Sequence, residues 1–321
     1  MTRESAHVQR RAVLLLPLAA LPCAADDVLP WPAPGLRIVV AYPPGGVSDE
    51  ITRVLAHKLE ARLGVPVQVE HRPGAGGAVA MRMLARAAPD GRTLCFSAIT
   101  ALSLVPHVST VSYDPLRDIA PVAGVMHTPV LVVGTPALHA RTFAQMLAAA
   151  RSGRGPLRWA TSGVGTTGHL VLEQVRRATG ADLVHVPYKG GSQQLTDALG
   201  GQFELLSTNV APLQLQYVAE GRLFALAVGS PARLAMLPGV PTLAEAGVER
   251  ANLVSLFGVF APAATPPAVI ARLNAEINGA LQEPDLRDRL AASGNEPAAG
   301  TPGQLEARIG HEWAANRRLV K

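Results

Sequence analysis

A chain of 321 residues, 48% apolar and 17% charged, has the length of two domains at roughly 150 residues each and enough apolar content to fill two cores, which excludes disordered and coiled-coil classes. The formal charge of +5 is mild, and three arginines against one glutamate in the first 25 residues supply +2 of it. Aromatics are 4% and no run of Lys or Arg exceeds two, so the basic, aromatic-interleaved patches that bind nucleic acid are missing.

The N-terminus reads as an export signal spanning residues 1–25. Arg10 and Arg11 form a positive region ahead of the ten apolar residues Ala12–Leu21 (AVLLLPLAAL), and small residues follow at Cys23-Ala24-Ala25. Ten apolar residues are too few to cross a bilayer but suit a signal core. General secretory and twin-arginine routes both fit. Pro22 before Cys23 fits a lipoprotein box badly, so the expected mature product is water-soluble and periplasmic. It starts near Asp26, with a Pro-rich linker over 26–35. Cys95 is then alone, and its apolar setting reads as a small buried thiol; a catalytic thiol would need a neighbouring base.

Short apolar strands next alternate with amphipathic helical stretches. Strands are expected at Leu36–Ala41, Val65–Glu70 and Thr93–Ala98, then at Pro129–Gly134, Leu157–Thr161, Leu183–Pro187, Phe203–Ser207, Leu223–Gly229 and Leu253–Ala261. Ser48 or Asp49 can cap a helix running to Leu63, with Ile51, Val54, Leu55 and Leu59 at helical spacing. Further helices are expected at Ala78–Ala88, Thr142–Arg151, His169–Thr179, Ser192–Leu199, Ala268–Leu281 and Pro302–Lys321. The alternation predicts an α/β fold with parallel sheets covered on both faces.

Three strand-to-helix junctions are rich in small residues and donors: Tyr42–Asp49 (YPPGGVSD), Ser162–His169 (SGVGTTGH) and Tyr188–Ser192 (YKGGS). In open α/β sheets ligands sit beyond the carboxyl ends of the strands, where these junctions lie. Helix N-termini there offer free N–H groups and a partial positive charge to a carboxylate or phosphate. A Gly-rich turn also occurs wherever an α/β chain reverses, so each junction alone is weak; three together point to an anion site made of backbone donors. His169 can donate to ligand or simply cap its helix.

A second reading is open. Gly163–Gly168 matches the G-x-G-x-x-G dinucleotide fingerprint, which suggests a nicotinamide-dependent oxidoreductase. The carboxylate that should follow about twenty residues on is absent, and the strand ends at Pro187-Tyr188-Lys189. Other catalytic signatures are missing. His57, His71, His107, His127, His139, His169 and His185 show no i,i+4 pairing that would hold a metal, and no Gly-x-Ser-x-Gly elbow is present. The leading expectation is a non-enzyme that needs no cofactor.

The chain resembles the periplasmic receptors of tripartite tricarboxylate transporters, also called the Bug family. The resemblance runs through Ala41–Asp49 (AYPPGGVSD), Glu70–Gly77 (EHRPGAGG), Ala88–Leu94 (APDGRTL), Tyr113–Val122 (YDPLRDIAPV), Thr161–His169, Val184–Gly190 (VHVPYKG), Val240–Gly247 (VPTLAEAG) and Phe257–Pro266 (FGVFAPAATP). It implies a type II periplasmic-binding-protein fold, two α/β lobes with a ligand cleft between them. Residues 36–127 plus 254–321 would form a discontinuous first lobe and 128–253 the second, with crossings near Met126–Pro129 and Asn252–Leu256. It implies a monomeric receptor that takes a small organic carboxylate and delivers it to the transporter's membrane subunits. Implied ligand-binding residues are Tyr42, Gly45, Gly46, Ser48, Asp49 and Thr100 from the first lobe. From the second they are Ser162, Gly163, Gly165, Thr166, Thr167, His169, Lys189 and Thr208. Three positions depart from the family pattern: Thr208 replaces a common Asp, Val105 a common Asn and Leu256 a frequent Trp. Without the Asp at 208 the expected ligand is a less polar mono- or dicarboxylate, not an amino acid.

Overall fold

The computed structural model describes residues 31–32, 34–153 and 155–319; the expected export signal and Cys23 lie outside the described residues. The strands are β1 (Leu36–Val40), β2 (Val67–His71), β3 (Thr93–Ala98), β4 (Ile119–Gly134), β5 (Leu157–Thr161), β6 (Leu183–Pro187), β7 (Leu205–Asn209), β8 (Phe224–Gly229), β9 (Val254–Pro262) and β10 (Glu296–Pro297). The helices are α1 (Val47–Leu63), α2 (Ala78–Ala85), α3 (Thr100–Ser103), α4 (Val105–Val108), α5 (Phe143–Ala150), α6 (Thr167–Thr179), α7 (Gly191–Leu199), α8 (Pro212–Ala219), α9 (Pro267–Leu281), α10 (Pro284–Ala292) and α11 (Pro302–Leu319).

The same strand pattern is built twice. In the first lobe the order is β2-β1-β3-β9-β4, with β1, β2 and β3 parallel and β9 antiparallel to both neighbours. In the second it is β6-β5-β7-β4-β8, with β5, β6 and β7 parallel and β4 antiparallel to β7 and β8. The long strand β4 joins the two: Ile119 to Pro129 pair with β9, and Val130 to Gly134 pair with β7 and β8. Near this switch Ser255 Oγ on β9 donates to Asn209 Oδ1 on β7 at 2.7 Å.

Alternating residues of each strand serve two cores, one per sheet face. In the first lobe Ile38, Val40, Leu94 and Phe96 pack with Ile51, Leu55 and Leu59 of α1 and Leu273 and Ile277 of α9. Val39, Cys95 and Phe260 face the other way, onto Met81 and Leu84 of α2 and Leu305 and Ile309 of α11. The second lobe repeats this: Val130, Val132 and Trp159 meet α5 and α6, while Leu131, Val133 and Ala160 meet α7. Burial on both faces explains why these strands read as continuous apolar runs.

Several expectations are corrected. Helix α1 begins at Val47 with Gly46 at its N-cap and no side-chain cap, so Ser48 and Asp49 lie inside its first turn. Strand β4 starts ten residues earlier than the sequence suggests. Pro121 and Gly124 disguise it, and the ladder absorbs them through register shifts at Pro121/Ala123 and Gly124/Met126. Helices α8 and α10 are not among the helices expected from the sequence; they open on Pro212 and Pro284, each at the first helical position.

Candidate functional site

A cavity of about 220 Å³ lies between the lobes. The first lobe contributes Tyr42, Pro43, Gly45, Gly46, Val47 and Ser48, from the β1–α1 junction, and Phe257 of β9. The second contributes Ser162 after β5, Gly191, Ser192, Leu195, Thr196 and Leu199 of α7, Thr208 and Asn209 of β7, and Ala211, Leu213, Gln214 and Tyr217 at α8. A narrow recess shares Tyr42, Ser162, Thr208, Asn209 and Phe257 and adds Ala98, Thr100, Thr166, Thr167, Gly168 and Ser255. These groups cluster at the carboxyl ends of parallel strands, where an open sheet leaves room for ligand.

The first turns of α1 and α6 meet these walls. An α-helix leaves its first N–H groups without intrahelical acceptors. Val47 and Ser48 hold that position in α1, and Thr167 and Gly168 hold it in α6. Hydroxyls of Ser48, Ser162, Thr167 and Thr208 stand alongside them, and the buried Thr100 Oγ1 has no hydrogen-bond partner. No lining residue is charged among the described residues. Whatever negative charge enters is therefore met by amide dipoles and hydroxyls, not by Lys or Arg.

Other sequence-predicted residues shape this wall from behind. Asp49 does not line the cavity: its Oδ2 accepts the Gly45 N–H at 2.9 Å, and its Oδ1 meets Arg53 Nε at 2.7 Å and His71 Nε2 at 2.8 Å. Burial pushes the Asp49 carboxyl up, but the Gly45 N–H, His71 and Arg53 outweigh it and hold the group below the usual range. In the second loop Thr161 Oγ1 accepts the Gly163 N–H at 3.2 Å and His169 Nδ1 accepts the Gly165 N–H at 3.3 Å. Thr166 Oγ1 donates to Gly163 O at 2.8 Å and caps α6 by accepting the His169 N–H. The amides of Gly45, Gly163 and Gly165 are thus engaged within the protein. His169 also stacks on His185 with centroids 4.3 Å apart. Burial lowers both imidazoles; His185, with the neighbouring His169 and Arg176 adding to the effect, falls to about 4.

Of the predicted residues, Tyr42, Gly45, Gly46, Ser48, Thr100, Ser162, Thr166, Thr167 and Thr208 line the cavity or its recess. Asp49, Gly163, Gly165, His169 and Lys189 do not, and Lys189 is exposed. Sequence reasoning missed Phe257, which lies in an apolar run, Asn209, the neighbour of the chosen Thr208, and all of α8. Leu213, Gln214 and Tyr217 reach the site only because α8 follows β7, as α1 follows β1.

The lobes touch around the opening. Ser192 Oγ donates to Pro44 O at 2.8 Å. A Cβ at Gly165 would meet Val105 Cγ2 at 2.7 Å, and one at Gly163 would meet Tyr188 O at 3.2 Å. Gly163 and Gly165 of the G-x-G-x-x-G string therefore pack against protein, and their amides are engaged, so the string does not form an open cradle for a pyrophosphate. Among the described residues no three His, Cys, Asp or Glu side chains converge as a metal site, and no helix is long and apolar enough to cross a membrane.

Two α/β lobes sharing strand crossings, with a donor-lined cavity between them, define a solute-binding receptor. The chain belongs to the family described as the tripartite tricarboxylate transporter family receptor, whose sequence profile matches residues 51–321. It is 36% identical to Protein BugT of Bordetella pertussis over 303 residues, 92% of this chain and 91% of that protein. Among solved structures it is similar to MatC from Rhodopseudomonas palustris with bound malate (27% identity, TM-score 0.85, 91% of this chain and 100% of that one). It is also similar to Rpa4515 of R. palustris with adipate (30% identity, TM-score 0.84, 89% of this chain and 95% of that one).

Proposed function

We propose that this receptor closes on one small organic carboxylate and releases it unchanged to the membrane subunits of a tripartite tricarboxylate transporter. The observation that carries the reading is the pair of helix starts whose first amides, at Val47-Ser48 and Thr167-Gly168, meet at a cavity with no charged wall. A carboxylate placed there gains several N–H and hydroxyl donors without desolvating a fixed counter-charge. Malate and adipate in the structural relatives belong to the same chemical class. Thr208 supplies a neutral hydroxyl where an acidic group would attract an amine, so amino acids are disfavoured.

In this reading Tyr42, Gly46, Ser48, Thr100, Ser162, Thr167 and Thr208 contact the ligand, while Asp49, Thr161 and His169 hold the donor loops in place. Residues 36–127 with 254–321 move as one lobe and 128–253 as the other, with β4 and β9 as the crossings. The chain is exported to the periplasm by residues 1–25, acts as a monomer and carries out no catalysis. Thermal-shift screening with organic acids, followed by calorimetry, tests this. One-site binding of a mono- or dicarboxylate is expected. Failure of every organic anion to bind, a response to aspartate or glutamate alone, or chemical turnover of the bound acid would overturn it.

A further inference from the structure

Helix α8 is built the wrong way round for an ordinary surface helix. Its one buried side chain is Gln214, 1% exposed, whereas its neighbour Leu213 is 45% exposed. A buried amide is normally satisfied at both ends, yet neither Gln214 Oε1 nor Nε2 has a hydrogen-bond partner. Gln214 lines the cavity together with Leu195, Thr196, Leu199, Leu213 and Tyr217 and is not part of the recess that holds Thr167 and Gly168. The cavity therefore joins a donor-rich recess to a mostly apolar wall that includes one primary amide without a partner.

Building on the carboxylate reading above, we infer that Gln214 selects the ligand's far end, and that this end is an uncharged group able both to donate and to accept, such as a hydroxyl or a carboxamide. The amide offers an N–H donor and a carbonyl acceptor, and only such a group satisfies both. A second carboxylate would accept from Nε2 and leave Oε1 without a donor. It would also lie beside Leu195, Leu199 and Leu213 with no cationic residue in the wall. The start of α8 does little to offset this, because Pro212 at its first position removes one of the N–H groups that make α1 and α6 good anion sites. An unsubstituted acid would leave both amide atoms unpaired, which costs a receptor its discrimination in the opposite direction.

The test is calorimetry on the purified protein with sets of four-, five- and six-carbon acids. Each set holds the ω-hydroxy acid, the ω-carboxamide acid, the dicarboxylate and the unsubstituted monocarboxylate. At the best chain length the hydroxy or carboxamide acid is expected to bind about ten-fold or more tighter than the dicarboxylate and the monocarboxylate. In Gln214→Leu and Gln214→Met that ratio is expected to fall below about three; two variants are used so that one poor folder does not decide the matter. A dicarboxylate or plain acid that binds as tightly as the hydroxy and carboxamide acids, or a ratio that survives both substitutions, overturns the inference and leaves the carboxylate reading standing. No binding by any acid at any length overturns both.

Discussion

Closure of the lobes can be blocked at one atom. Gly190, just before α7, packs against Pro43 of the facing lobe: a Cβ there would fall 2.8 Å from Pro43 Cγ and closer still to Cδ. Carbon atoms rest at about 3.5–4.0 Å, so Gly190→Ala forces the lobes apart by about 1 Å at this point. The backbone does not object, because Gly190 has φ 168°, an extended value open to any residue. Alanine is a poorer N-cap than glycine by up to about 1 kcal/mol, but that cost falls on open and closed forms alike and cancels from binding. The clash falls on the closed form alone, and overpacking of this kind costs about 1–3 kcal/mol. At ~2 kcal/mol, ligand affinity drops about 30-fold. Calorimetry with the best acid from the screen measures this, with Gly239→Ala as control, since a Cβ there meets nothing within 4 Å. If Gly190→Ala binds within about three-fold of the unaltered protein, ligand capture does not require the Ser192–Pro44 contact, and the hinged reading of the cavity is wrong.

Other outcomes follow from the groups behind the site. His169 and His185 are held neutral below the ordinary histidine value, so the unfolded chain binds protons first as pH falls. Their stabilisation is complete above about 6.5 and is lost towards about 4, the value for His185. His185→Gln should therefore flatten the fall in melting temperature between pH 7 and 4.5, and an unchanged slope would refute the assignment. Asp49→Ala strips the acceptor from the Gly45 N–H and the partner from His71 and Arg53. It is expected to cost about 1–3 kcal/mol of stability and to weaken carboxylate binding although Asp49 does not line the cavity; urea melts and calorimetry report the two effects. Cys95 is fully buried and its thiol is pushed up by burial. Mass-mapped alkylation at pH 8 should leave it unmodified in the native protein and label it only in denaturant.

Much of this site was legible along the chain because its parts are local. The β1–α1 and β5–α6 junctions announce themselves by a short strand-like run, a cluster rich in Gly, Ser or Thr, and then helical spacing of apolar residues. What those junctions do with each residue was not legible. Asp49 looks like a ligand group in sequence, yet its carboxylate turns back onto Gly45. Gly163 and Gly165 look like open donors, yet Thr161 and His169 already accept their N–H groups. Lys189 has the right charge but projects outward. Each outcome depends on which neighbour lies within hydrogen-bond reach, and those neighbours are His71, Thr161 or the opposite lobe.

The apolar periodicity, the punctuation by Gly and Pro and the ordered family motifs were enough to establish two α/β lobes and an anion-binding receptor, because strand and helix signals arise from residues a few positions apart. Only the tertiary structure decided that β4 serves both sheets, that α8 brings a polar Gln214 to the cavity, and that the loop glycines are consumed in contacts between lobes. Those facts join residues from about thirty to well over a hundred positions apart, such as Gly76 with Gly163 and Pro43 with Gly190. Packing between distant segments leaves no local pattern in a single sequence, since any residue of suitable size and polarity could make the same contact.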